Sequence, residues 1–220
     1  MSAARRGTGG PRQGCPDLGH LPEGDPADLS PGADVSGVDF TDLAVASLDL
    51  AGALVTSTRV AALSAKDVDL TGTRLSEVEL SRVDLPLVRA ALGHWNAVTV
   101  NGRWGALEAY EAQWRSVRFV GCKLGFVNVR RAKLAEVEFT DCDIEELDLV
   151  DAQVRRLRFS DSRIRHLDVT HATLRDVDLR GAALTSVAGV TELRGTTLTT
   201  DQVTFLAPML AAGLGIRVDP

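Results

Sequence analysis

The chain has 220 residues, enough for one or two domains and a sizeable core. It is 45% hydrophobic, 25% charged and only 5% aromatic, with a net charge of -6, so an aliphatic core is expected and the balance argues against a strongly basic nucleic-acid binder. Three cysteines, Cys15, Cys122 and Cys142, with no Cys-x-x-Cys pair give neither a disulfide framework nor a zinc signature.

The opening "MSAARRGTGG" is positively charged but lacks the apolar stretch of a secretory leader. No run of about eighteen apolar residues occurs anywhere, so no membrane span is expected and the location is read as cytoplasmic. Residues 1–36 hold five of the eight prolines, with much Gly, Ala and Asp, and read as a flexible tail.

From residue 38 every fifth residue is almost always apolar: Phe40, Val45, Leu50, Val55, Val60 and onward to Val100. One step is then four residues long, within "VNGRW", and the series resumes at Trp104 and runs to Leu184. Neither a helical nor a simple strand period gives this; a sustained fixed period marks a repeat architecture. The residue two before each centre is also apolar or small, and the one between them is usually polar, so each unit is a very short strand followed by a corner. "VRFVGC", "VEFTDC" and "LRFSDS" recur at twenty-residue intervals, so four units make one lap. Residues 38–184 then form roughly seven laps of parallel strands, a rod about 35 Å long. Phe119, Phe139 and Phe159 should stack in one inward column, and Trp95, Trp104 and Trp114 should fill the interior around the short step.

The segments "VDFTD" (38–42), "LDLAG" (48–52), "VDLTG" (68–72), "ATLRD" (172–176) and "VDLRG" (177–181) resemble the pentapeptide-repeat family, over about two-thirds of the chain. The resemblance implies an all-β solenoid, a right-handed quadrilateral parallel β-helix, spanning 37–186 here. Three features depart from the family pattern: Val or Leu often takes the small position, Arg or Lys often takes the Asp/Asn position, and the register slips near residues 101–103.

Residues 187–220 read as a short helical cap over the open end of the rod. Thr199 and Gln202 are placed to form a capping box, Pro208 to interrupt or restart the helix, and Gly213 or Gly215 to stop it. A homodimer through this region is the added expectation.

Stacking makes residues twenty apart neighbours, so Arg118–Glu138–Arg158–Asp178, Lys123–Asp143–Arg163, Glu136–Arg156–Asp176 and Glu145–Arg165 read as charge columns that fix register. The acidic run 141–151 is spread around two sides and faces arginines, which weighs against a metal or carboxylate site. Cys122 and Cys142 fall in one small inward slot shared with Ser162 and Ala182, where size is the constraint, and parallel stacking aims their Cβ atoms alike, awkward for a disulfide. No convergent Ser/His/Asp or Cys/His set and no phosphate loop appears, and a side-chain-packed rod has no internal pocket, so no catalytic, cofactor or metal residues are assigned and no enzyme is expected.

What remains is the outer surface, and a protein partner is expected to read it. The first reading is a non-enzymatic interaction scaffold without direct nucleic-acid or membrane binding. The alternative, implied by the family, is a DNA mimic that binds DNA gyrase or another topoisomerase and protects it from fluoroquinolones or toxins. Residues 38–98 carry eight acids against five bases, whereas 99–184 carry fourteen of each. The acidic partner-binding surface therefore falls on Asp39, Asp49, Asp67, Asp69, Glu77, Glu79 and Asp84.

Overall fold

The computed structural model describes residues 18–218. The chain winds as a four-sided parallel β-solenoid whose strands all join one sheet. The five-residue period explains this directly. Two side chains per unit turn inward and the one between turns outward, so a flat ribbon would leave half of the apolar set in water. Coiling closes all four apolar faces on one another.

Four inward columns define the faces. On the first face Val35, Val55, Leu75, Trp95, Trp114, Leu134, Val154 and Leu174 stack in register through eight laps, one more than the period predicts. The second face runs through Phe40, Leu80, Phe119 and Phe159, the third through Leu85, Trp104 and Ile144, and the fourth through Leu70, Val129 and Leu149, all buried. At the expected stacks Phe119 and Phe139 lie 4.8 Å apart between ring centres and Phe139 and Phe159 5.2 Å, each pair nearly parallel. Offset stacking of this kind adds about 0.5–1.5 kcal/mol per pair beyond the buried area.

Three of the four corners turn through a left-handed residue placed two after the inward centre: Glu77, Arg82 and Leu92 have φ of 56°, 53° and 60° in a single lap. Such residues cost roughly 1–2 kcal/mol each. The offset is a hydrogen bond to the next lap, as from Asp42 N–H to Ala61 O (3.0 Å), Ala62 to Ser81 (2.9 Å) and Asp141 to Ser160 (3.0 Å). The fourth corner, after the third face, bends inside continuous strand such as Ser162–Asp168.

The four-residue step is a shortened corner. Leu80 pairs with Val100, yet Val83 pairs with Gly102, so the lap at 101–102 has lost one residue. The side chain of Asn101 occupies the gap: its Oδ1 accepts from Arg82 N (3.3 Å) and its Nδ2 donates to Val120 O (2.8 Å). Gly102, at φ 134°, completes the turn, and a Cβ there would lie 2.3 Å from the Val83 carbonyl oxygen. The tryptophans surround this lap. Trp95 and Trp114 stack at 5.0 Å, Trp104 lies on the third face, and all three indoles are buried without a hydrogen-bond partner for the ring N–H.

Two expectations for the interior and the start of the coil need correction. An apolar void of about 40 Å³ lies among residues that include Leu29, Leu63, Leu85 and Trp104, so the packing is not complete in the early laps. It is too small for a ligand, and its apolar lining keeps it dry. Residues 1–17 of the expected tail lie outside the described residues, but 18–36 are structured. Asp39 N–H donates to Pro22 O and Gly24 N–H to Asp39 O; Pro26–Asp28 forms a 3-10 turn capped by Asp25; Asp34–Ser36 pairs with Leu54–Thr56. The coil therefore starts before residue 37. Val45, expected inward, is 42% exposed because its strand is the outermost rung of the third face.

At the other end helix α1, Thr200–Gly213, covers the last lap with buried Leu206. Thr199 and Gln202 form the expected capping box, and the Gln202 Nε2 also donates to Leu179 O (2.7 Å) and Ala182 O (2.8 Å), fastening helix to coil. The helix runs unbroken through Pro208, contrary to expectation. Packing of Met209 and Leu210 against the core holds the turn in which the proline ring removes one N–H. Gly215 (φ 72°) closes it: Gly215 N–H bonds Ala212 O and Ile216 N–H bonds Ala211 O, a Schellman arrangement.

Candidate interaction surface

The seven acids of the first half do not share one face. Asp39 and Glu79 lie on the second face, on either side of Arg59, at 3.1 and 3.3 Å from its guanidinium. Asp67 and Asp69 flank Arg89 at 2.8 and 3.3 Å on the fourth side. Asp49 pairs in register with Asp69 and its Oδ1 accepts from Ala51 N–H at 2.9 Å. Glu77 stands at the corner after the first face and accepts from the Ser57 hydroxyl at 2.9 Å. Asp84 is exposed on the third face, between Ser64 and Arg103 in neighbouring laps.

Several of the twenty-residue columns of the later half pair as expected. Arg118 reaches Glu138 at 3.8 Å, Arg165 reaches Glu145 at 3.1 Å, and Arg156 bonds the buried Glu136. Lys123, Asp143 and Arg163 lie in register. Asp178 sits opposite Arg158 but binds Arg180 at 2.7 Å. That bond, against some burial, holds the Asp178 carboxyl below its ordinary range. Burial pushes Glu136 and Asp69 up, yet hydrogen bonds from Arg156 and Ser116, and from Thr71 and Arg89, outweigh it and leave both carboxyls low.

Two side-chain ladders were missed by sequence reasoning. On the fourth side Asp49, Asp69, Asn128, Asp148 and Asp168 each accept the backbone N–H two residues ahead, so the recurrent Asp is a turn residue. On the third side the Cys122 thiol donates to Val100 O, the Cys142 thiol to Phe119 O and the Ser162 hydroxyl to Phe139 O, at 3.4, 3.4 and 3.2 Å. At these three laps the slot holds a short donor as well as a small side chain. The nearby Cys142 sulfur and burial both push the Cys122 thiol up, which keeps it protonated and inert. Both thiols are free. His171 stands 3.6 Å from Asp151 and His166 3.1 Å from Ser186, at separate corners, and no cluster of three metal-ligating side chains occurs among the described residues.

The first face differs from the other three. A shallow groove of about 670 Å³ runs along it over the buried Trp95 and Trp114, and its rim carries His94 and the cations Arg115, Lys133, Arg155 and Arg175, with no carboxylate in the lining. Arg155 and Arg175 are directly opposite in neighbouring strands.

A parallel four-sided coil with a five-residue inward period and left-handed corners defines a β-solenoid of short repeats. Residues 108–188 match the family described as a pentapeptide repeat region, and the coil is a pentapeptide-repeat β-helix. Solved structures similar to it include a trypsin-treated form of QnrB1, a plasmid-mediated fluoroquinolone resistance protein, at 17% identity over 87% of this chain and 94% of that one, with a TM-score of 0.32. HetL, a pentapeptide repeat protein involved in heterocyst differentiation regulation from the cyanobacterium Nostoc sp. strain PCC 7120, is similar at 16% identity over 76% of this chain and 90% of that one, with a TM-score of 0.31. No curated protein matches the chain.

Proposed function

We propose that the chain is a non-enzymatic interaction scaffold, acting in the cytoplasm, whose outer faces are read by a protein partner. The observation that carries this reading is the interior. Columns of apolar side chains line it from Val35 to Val187, so the groups available for recognition stand on the outside. An affinity pull-down of the full chain from its native cell tests it. Stoichiometric capture of a specific protein is expected; recovery of the chain alone would sink the proposal.

A second reading, a DNA mimic directed at gyrase or a related topoisomerase, is favoured by Asp49, Glu77 and Asp84, which are exposed and have no ion-pair partner among the described residues. Against it, Arg59 and Arg89 ion-pair with Asp39, Glu79, Asp67 and Asp69 and offset half of the charge of those four acids. Supercoiling assays with and without a quinolone decide: no effect at micromolar protein removes this reading. Dimerisation through the C-terminal region is part of the proposal, supported by Val203 and Phe205, 47% and 42% exposed on α1. Sedimentation of the chain and of Phe205→Glu would then show a dimer and a monomer; a monomer in both cases rejects it.

A further inference from the structure

We propose that the first face is a docking strip for an extended acidic segment of a protein partner. The proposal rests on the interaction reading above and specifies the chemistry of the contact.

Elsewhere on the coil charges pair between laps, as in Asp39–Arg59–Glu79 or Glu145–Arg165. On the first face Arg115, Lys133, Arg155 and Arg175 are all exposed and have no carboxylate within ion-pair distance among the described residues. Arg155 and Arg175 face each other across one rung, about 4.8 Å apart at the backbone, a like-charge pairing that disfavours the sheet. An anion laid between the guanidinium groups removes that repulsion and gains bidentate hydrogen bonds.

The shape of the strip selects the anion. Both bordering corners carry carboxylates: Glu111, paired with Arg131, and Asp151, 3.6 Å from His171, on one side, and Glu136, paired with Arg156, and exposed Asp176 on the other. The positive field is thus one strand-width across and several laps long. A DNA duplex, about 20 Å wide, would overlie those carboxylates within a Debye length of about 8–10 Å. Single-stranded nucleic acid gains its affinity from exposed aromatic platforms, and the aromatics here, Trp95 and Trp114, lie 1% and 2% exposed beneath the groove. An acidic polypeptide needs neither width nor platforms. Alternate carboxylates of an extended chain fall about 7 Å apart, within the reach of arginines standing on successive rungs.

The test is fluorescence anisotropy of the full chain with a labelled peptide of alternating glutamate and serine, and with a labelled single-stranded oligonucleotide as competitor. Salt-sensitive peptide binding is expected, weakened at least about tenfold by Arg115→Glu, Arg155→Glu and Arg175→Glu combined. A control of equal charge, Lys66→Glu, Arg82→Glu and Arg103→Glu, lies on the third side and the corners flanking it and should change binding less than about threefold. Circular dichroism checks that both variants fold. Equal loss in the control, tighter binding of the oligonucleotide, or no peptide binding overturns the proposal. If the chain still captures a partner in the pull-down while ignoring the peptide, the strip is wrong and the scaffold reading stands; if it captures nothing, both fall.

Discussion

The side-chain amide of Asn101 donates to the carbonyl oxygen of Val120 at 2.8 Å, a place that a backbone N–H fills at the matching corners of other laps. Its carbonyl end accepts from Arg82 N–H, so one carboxamide stands in for one missing peptide group. Asn101→Ala should therefore cost about 0.5–1.5 kcal/mol, the net worth of a typical hydrogen bond, since both bonds lie at an exposed corner. Inserting one residue after position 101 restores the five-residue step and should recover part of that loss. Urea unfolding of the three chains decides it: an insertion that further destabilises Asn101→Ala contradicts the substitution of side chain for backbone.

The slot shared by Cys122, Cys142 and Ser162 gives a ranked prediction. The Ser162 hydroxyl donates to Phe139 O and also accepts from Cys142 N–H at 3.1 Å. Ser162→Ala strands that amide and should cost about 1–3 kcal/mol. Cys142→Ser keeps a short donor and should change stability by less than about 1 kcal/mol. Thiol labelling of Cys122 and Cys142 is expected after unfolding only, since they are 1% and 3% exposed. An intact mass showing a native bond between them would contradict the ladder.

Acid should destabilise the coil. Asp178, Glu136 and Asp69 bind their protons less tightly in the folded chain than unfolded carboxyls do, which titrate near about 4. Their contribution is present above that value and is lost as pH falls through the lower folded values. Urea midpoints should be flat between about pH 7 and about pH 5 and fall below about pH 4. Arg180→Gln removes the main cause at Asp178 and should flatten part of the acid limb; a midpoint that rises on acidification reverses the sign.

Gln202 ties α1 to the coil through Leu179 O and Ala182 O while completing the helix cap at Thr199. Gln202→Ala should cost about 1–2 kcal/mol. It should also expose Leu206 to early proteolysis near the helix, with the rest of the coil protected. Uniform cleavage along the chain would show that the helix is not a separately docked cap.

The architecture could be read from the sequence because one inward residue type repeats at fixed intervals, and each strand is too short to confuse the period. Phe139 was placed between Phe119 and Phe159 from spacing alone. Other features depend on where polar side chains end. Nothing local to Asn101 says that its amide will mimic a peptide, and "LDL" does not reveal that its Asp folds back on the N–H two residues ahead. The segment around Asp25–Asp28 looked like tail because its anchoring uses backbone groups, to Asp39, and few apolar side chains. The acidic surface was summed along the chain instead of around the coil. Asp39, Arg59 and Glu79 are spaced by twenty, and that spacing converts an apparent acidic patch into an ion-paired column.

The two ends of the rod are closed differently. Helix α1 covers the last lap, whereas the strand Ala44–Asp49 has a single neighbour among the described residues, Ser64–Asp69, and leaves Val45 exposed. In a stack where each lap touches only the next, loss of order proceeds from whichever terminus is held least. Amide exchange should therefore fall off as a gradient, fastest at 44–49 and slowest in the aromatic laps from Trp95 to Phe159. The coil has a weak end and a sealed end, and it should unzip in one direction.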